Sequence, residues 1–318
     1  MQTILVTGAS GFVGQHLLDL LSSDGATIAA WRRPGAVEPL RHDFDPARVS
    51  WRDVDVLDAR TVEREVASRP PDVVYHLAGA AHAGQSWDRV EPALRVNVIG
   101  THRLLEAVGR HAPRARVLLA CSALAYQESG QAIDEDCPVR PSSPYGLSKL
   151  AQEELGVRAC RDEALPVIVA RAFNHIGPGQ APHFFASGFA CQIAAAEAGL
   201  REPVISVGNL DAARDLTDVR DTVRAYRALV ERAETGRPYN VCSGRAHRVG
   251  AVLDALLARA RVRVEVRVEP ALLRPNDNPL VLGDPARLHA ATGWRPTIPL
   301  DQTLDDLLED WRRRVRDR

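Results

Sequence analysis

Short β-rich runs alternate along the chain with longer stretches in which apolar residues recur every three or four positions. Residues 3–7 (Thr-Ile-Leu-Val-Thr), 27–31, 51–56, 72–77, 117–120 and 167–170 read as strands. Leu17, Leu18, Leu20 and Leu21 give an apolar helix face, and 59–67, 91–111 and 219–233 carry the same period. Alternation of strand and helix through about Arg171, with no internal repeat, argues for a parallel doubly wound sheet. After Arg171 the alternation breaks into shorter pieces around Ile176-Gly177-Pro178-Gly179-Gln180, and residues 239–242 read as a later strand returning to the main sheet.

The first strand runs directly into Gly8-Ala9-Ser10-Gly11-Phe12-Val13-Gly14 and then into a helix. Strand, glycine turn and helix in this order form a phosphate cradle, in which small residues let backbone approach a pyrophosphate at a helix N-terminus. A plain tight turn is the alternative. The expected fold is α/β, a Rossmann-type doubly wound parallel sheet with a smaller C-terminal substrate-binding lobe. Residues 1–171 would form the dinucleotide-binding domain, with returns near 218–245, and 172–318 mainly the second lobe.

The second strand ends at Trp31-Arg32-Arg33, with no acidic residue of the kind that grips a ribose 2′-hydroxyl. Two guanidiniums suit a 2′-phosphate, so the dinucleotide is read as NADP(H); solvated loop arginines are the other reading. After Leu77 ends the fourth strand, Ala78-Gly79-Ala80-Ala81 keeps side chains small, as a backbone passing close to a cofactor requires.

Composition narrows the class. Of 318 residues 45% are hydrophobic and 25% charged, ordinary values for a globular chain. Forty basic residues against 41 acidic ones leave no footprint for nucleic acid. No apolar run reaches membrane-spanning length, and the N-terminus lacks the pattern of a signal peptide. The five cysteines include no C-x-x-C pair, so they read as reduced thiols and the expected location is the cytoplasm.

One residue type is conspicuous by its rarity. Lys149 is the only lysine in the chain, and it follows Tyr145 by four residues in Tyr145-Gly146-Leu147-Ser148-Lys149. On a helix that spacing puts phenol and ammonium on one face. A nearby cation favours phenolate, so the Tyr145 pKa is expected to fall toward the range of a working acid or base. Ser122 stands just past the apolar run at 117–120, where a serine is otherwise a common turn former.

The Ser122, Tyr145 and Lys149 set together with the glycine loop resembles the extended, nucleotide-sugar-modifying short-chain dehydrogenases/reductases. The segment 170–180 (Ala-Arg-Ala-Phe-Asn-His-Ile-Gly-Pro-Gly-Gln) is similar to that of bacterial GDP-4-keto-6-deoxy-D-mannose reductases, which make GDP-D-rhamnose. So are Val207-Gly208-Asn209, the stretch Arg214-Asp215 to Asp221, residues 240–244 and 292–296. The resemblance implies NADPH-dependent reduction of the C4 ketone of a GDP-linked, or other nucleotide-linked, 4-keto-6-deoxyhexose by a homodimer. It places Asp55 and Val56 at the adenine edge, Asn97 at a structural or ribose-adjacent position and His175 near the nicotinamide. It gives Asn174 to the substrate, Asn209 to the nucleotide, Arg214 and Arg274 to the diphosphate, and Asp277 to the nucleoside ribose. Each has a plainer reading: turn residues for Asn174 and Asn209, a core histidine for His175, surface arginines for Arg214 and Arg274.

Two departures from the resemblance stand out. Ala172 replaces a common proline, and Ser122 is followed by Ala123-Leu124-Ala125-Tyr126-Gln127, where reductase relatives commonly carry acidic or small polar residues and then a Tyr-Gly pair. Sugar 4,6-dehydratases of this scaffold carry acids where Ala123 and Leu124 stand. Those two side chains transfer no proton, so dehydration is expected to be absent. The remaining alternatives are a nucleotide-sugar 4-epimerase and a non-catalytic NADP-binding regulator, which need not keep Ser122, Tyr145 and Lys149.

Overall fold

The computed structural model describes residues 2–36, 44, 46–80, 90–273 and 278–317. In chain order the first half contains β1 (Thr3–Thr7), α1 (Phe12–Ser23), β2 (Thr27–Arg32), β3 (Val49–Asp53), α2 (Ala59–Ser68), β4 (Val73–His76), α3 (Val90–Leu94), a π-helical turn (Arg95–Gly100), α4 (Thr101–His111), β5 (Arg116–Ser122) and α5 (Pro144–Glu163). The second half contains β6 (Val167–Ala172), β7 (Asn174–Ile176), α6 (Phe185–Glu197), β8 (Val204–Val207), β9 (Ala213–Asp218), α7 (Val219–Arg232), β10 (Pro238–Val241), β11 (Ala246–Arg248), α8 (Val249–Leu257), β12 (Glu265–Val268), β13 (Leu280–Val281), α9 (Ala286–Thr292) and α10 (Leu300–Arg316).

Seven strands form the main sheet in the order β10-β6-β5-β4-β1-β2-β3, every neighbouring pair parallel. The apolar runs produce this because both faces are covered. Ile4, Val6 and Ile168 face a core shared with α1 and α7, while Leu5, Val74 and Val117 face one shared with α4 and α5. The strand order reverses between β1 and β4, where Thr7 lies beside His76, and ligands of such sheets bind in the crevice at this point.

The remaining strands build smaller sheets, β11-β9-β13 with β7 on β9, and β12 on β8. Together with α6, α8 and α10 they enclose a separate apolar core around Trp311, Leu307 and Ile193. Three acids of one stretch tie C-terminal segments to this lobe. Asp215 accepts from the backbone N–H groups of Ser243, Gly244 and Gly283, Asp218 from Thr303 Oγ1 at 2.8 Å, and Asp221 from the N–H groups of Thr297 and Ile298.

Several elements differ from their sequence reading. The third strand is Val49–Asp53 rather than 51–56, because Val54 gives its N–H to the Arg32 carbonyl and the chain then turns at Asp55, whose Oδ1 accepts from Leu57 N–H. The long helix at 91–111 is interrupted by the π turn, with buried Asn97 inside it. The basic end of α10 is less solvated than its charge implies. Arg312 is half-buried and pairs with Glu197 at 2.7 Å, and the Arg314 guanidinium lies 3.8 Å over the Trp311 ring.

Among the described residues no helix is long and apolar enough to cross a membrane, and no cluster of three or more His, Cys, Asp or Glu side chains is placed to hold a metal. All five cysteines are free thiols.

Candidate active site

Ser122, Tyr145 and Lys149 meet at the C-terminal end of the main sheet. Ser122 ends β5 and is buried; its Oγ accepts from Leu124 N–H at 3.2 Å. Helix α5 begins one residue before Tyr145, its first turn capped by the Ser143 hydroxyl, which accepts from Gly146 N–H at 3.1 Å. The Lys149 ammonium lies 6.0 Å from the centre of the Tyr145 ring and donates to the Ala120 carbonyl and to Gln152 Oε1, both at 2.8 Å.

The electrostatics correct one expectation. Burial pushes the Tyr145 phenol up to about 12, and the Ser122 hydroxyl pulls it back. Lys149 does not offset this, and its own pKa is lowered by burial, with Cys121 opposing. Surroundings of low polarity disfavour phenolate and ammonium alike.

The glycine-turn side of the crevice is built from backbone. Gly8 has φ +67°, and a Cβ there would stand 2.7 Å from Ala78 N; a Cβ on Gly14 would stand 2.5 Å from Gly8 O. Only glycine lets β1, the β4 turn and α1 approach so closely. The N-terminus of α1 has no side-chain cap, and with the Gly11 N–H given to Gly8 O, the first turn presents the N–H groups of Phe12 and Val13 to an anion.

A buried relay fixes this turn. Thr101 Oγ1 donates to Asn97 O at 2.7 Å and so accepts from His76 Nε2–H at 2.9 Å; Thr7 Oγ1 donates to His76 Nδ1 at 2.7 Å and accepts from Ala78 N–H at 3.1 Å. Leu77 N–H donates to Thr7 O. Asn97 Oδ1 accepts from Ala80 N–H, its Nδ2 donates to Ser148 Oγ, and Ser148 donates to the Tyr145 carbonyl. A Cβ on Gly79 would lie 2.8 Å from Asn97 Oδ1 and 3.3 Å from Lys149 Nζ, so cofactor turn, π turn and Tyr/Lys helix converge on one spot.

Other candidates are more dispersed. Arg32 donates from Nε to Asp53 Oδ1 at 2.8 Å and stacks over Trp51. The reading that no carboxylate stands there is therefore corrected: parallel pairing sets Asp53 opposite Arg32. Arg33 is exposed beside it. Val56 is buried against Gly100. His175 stacks on Phe12, ring centres 6.0 Å apart, joining the glycine loop to β7; burial lowers its pKa. Asn174 is exposed at the start of β7. Asn209 Oδ1 accepts from Asp211 N–H, a turn role, and Arg214 donates to the Ala213 and Asn278 carbonyls. Arg274, Asp277 and Ala81 lie outside the described residues.

Sequence reading passed over Ser148, Gln152, His76 and Gly146. Ser148 and Gly146 lie inside the Tyr-x-x-x-Lys motif, and His76 is a polar residue in an apolar run, a signal that was there to be used.

Similar proteins carry the same architecture. The model of the family described as GDP-mannose 4,6 dehydratase matches residues 5–307. The chain is 36% identical over 319 residues to the GDP-6-deoxy-D-mannose reductase of Pseudomonas aeruginosa, covering 99% of each. The solved structure of RMD from Pseudomonas aeruginosa complexed with NADPH has TM-score 0.87 at 33% identity, covering 99% of this chain and 100% of that one. The UDP-glucose 4-epimerase of Thermus thermophilus in complex with NAD has TM-score 0.86 at 27% identity, covering 98% and 99%. A family match over nearly the whole length, on a doubly wound sheet whose crevice gathers the glycine turn, Ser122, Tyr145 and Lys149, means that the chain belongs to the GDP-mannose 4,6-dehydratase family of extended short-chain dehydrogenases/reductases.

Proposed function

We propose that the protein reduces the C4 ketone of a GDP-linked 4-keto-6-deoxyhexose with NADPH, giving GDP-6-deoxy-D-mannose (GDP-D-rhamnose). The observation that carries this reading is the meeting of Ser122, Tyr145 and Lys149 beside the glycine turn in a chain similar from end to end to a GDP-6-deoxy-D-mannose reductase.

The crevice suits the cofactor. Its pyrophosphate would take the uncapped N-terminus of α1 over Gly8, Gly11 and Gly14, and its 2′-phosphate would take Arg32 and Arg33. Asp55 and Val56 would border the adenine, Asn97 and Lys149 the ribose, and Leu77, Ala78, Gly79 and His175 the nicotinamide end. When bound, the dihydronicotinamide supplies a hydride to the sugar C4.

The chain's own groups handle the proton and the oxygen. Tyr145 Oη gives its proton to O4 as negative charge develops there, and Ser122 Oγ donates a hydrogen bond to the same atom. Burial helps, since a phenol kept firmly protonated is the form an acid must start from. Ala123 and Leu124 beside them bring no group that takes a proton from C5, which favours reduction over dehydration. Asn174 and Asn209 would face sugar and nucleotide, and Arg214, with Arg274 and Asp277, the diphosphate and its ribose.

The protein works in this reading as a cytoplasmic homodimer, in two functional lobes of residues 1–171 with returns near 218–245, and 172–318. The exposed apolar side chains of Ile99 and Leu147, on the π turn and α5, support a dimer. Mixing the purified protein with GDP-4-keto-6-deoxymannose and NADPH, and following the nicotinamide absorbance, tests the reaction. The reading predicts one NADPH consumed per sugar; interconversion of 4-hydroxyl nucleotide sugars with no NADPH added would replace it with epimerisation.

A further inference from the structure

Lys149 is a cation in a place hostile to cations. It is 6% exposed, and no carboxylate among the described residues pairs with it. From β5, Cys121 is a thiol pushed up to about 12 by burial. From β4, His76 is held neutral by burial. On its own helix Glu153 is taken by Arg171 of β6, with Nε at 2.9 Å, and Tyr145 is a protonated phenol. The Lys149 charge rests on two neutral oxygens, Ala120 O and Gln152 Oε1.

Gln152 is itself fully buried, where an apolar side chain would be the choice for packing. Its amide cannot turn over, because an ammonium only donates and the oxygen must face it. The other end of the amide, Nε2, is then a buried donor with no partner among the described residues. A native structure tolerates such a group where something else is gained. The gain here is an acceptor that holds Nζ without cancelling its charge, which glutamate would do. The backbone carbonyl of Ala120 is fixed by β5, so the 152 side chain is the one adjustable partner of the ammonium among the described residues.

From this geometry we propose that Gln152 is a positioning residue, one that fixes the Lys149 ammonium as a charged donor at the crevice. The inference rests on the reductase reading for its catalytic consequence, and the geometry of Lys149 stands without it. Removing the oxygen withdraws support from the ammonium, and adding a carboxylate increases that support while neutralising its charge at the crevice.

The unique lysine makes this measurable without any turnover. Protein grown with lysine labelled with carbon-13 at Cε gives a single NMR signal, which titrates with Lys149 alone. Gln152→Met is expected to move that titration down by about one pH unit, the loss of one hydrogen bond to a charged group. Gln152→Glu is expected to move it up by roughly one unit or more. With NADPH and keto-sugar, the alkaline fall of kcat should follow the NMR titration in the same direction in each variant, and kcat at neutral pH should drop about tenfold in Gln152→Met. A signal that titrates at the parent pH in both folded variants overturns the proposal. A lowered kcat with an unmoved titration also overturns it, by making the residue merely structural. A parent protein with no reductase activity but with shifted titrations would sink the reductase reading and keep the role of Gln152.

Discussion

Gly146 lies directly against the Leu124 carbonyl, so close that a Cβ at 146 would collide with that oxygen. This contact docks the first turn of α5 onto the short 3₁₀ turn after Ser122 and so sets the Tyr145 phenol beside the Ser122 hydroxyl. Gly146→Ala must push helix and turn apart at backbone. It is expected to lower kcat roughly a hundredfold, because misplacement on the order of 1 Å at a reacting group costs about that much, and to cost about 1–3 kcal/mol of stability from overpacking. Steady-state rates and denaturant melts check both.

Arg32 pairs with Asp53 and, in the proposed function, would also take the 2′-phosphate. Arg32→Ala is expected to raise the KM for NADPH about tenfold, the worth of one charge-assisted hydrogen bond, with little effect on the KM for NADH. Asp53→Asn should act in the opposite direction, since it removes the carboxylate that competes for the guanidinium. Equal KM values for NADPH in all three proteins would make Arg32 a support for Trp51 only.

His76 makes stability depend on pH. Burial, with the Lys149 charge adding to it, lowers its pKa to about 3, whereas the unfolded chain takes up a proton near ~6.5. Between those values the unfolded state binds more protons, so the stability contributed by neutral His76 is present above pH ~6.5 and is lost as pH falls, at up to ~1.4 kcal/mol per pH unit. His175, also lowered by burial, adds to the slope. Carboxylates take over below pH ~5, so the window to measure is about 5 to 6.5. Denaturant melts of His76→Gln should show a shallower dependence there than the parent; parallel slopes would contradict the neutral relay through Thr7 and Thr101.

The sequence carried the parts of this site that are local. Glycine spacing after β1, the helical interval from Tyr145 to Lys149 and the serine at the end of an apolar run depend only on neighbours along the chain. What escaped depends on pairing across the fold. Asp53 reaches Arg32 through parallel register, and Glu197 pairs with Arg312 from another helix. The π turn inserts one residue into a helix whose apolar period continues on either side, so Asn97 reads as one more helical position. Gln152 looked like an ordinary polar helix residue because burial at 0% exposure is invisible to a three-residue spacing from Lys149.

Tyr145→Phe removes the transferable proton and nearly nothing else. It is expected to lower kcat by about 10²–10⁴-fold, the usual worth of a positioned acid, while NADPH binds within about threefold of the parent, since in the proposed function the glycine turn and Lys149 would hold the cofactor. Near-native kcat would remove Tyr145 from the proton-transfer role.

The most direct test follows the hydrogen itself. NADPH deuterated at both positions of the nicotinamide C4 is incubated with the protein and GDP-4-keto-6-deoxymannose, and the sugar product is read by mass spectrometry and NMR. Reduction assisted by Tyr145 and Ser122 predicts one deuterium per product molecule, located at sugar C4, and one NADP released for each. A nucleotide-sugar product without deuterium, formed with no net loss of NADPH, would contradict it.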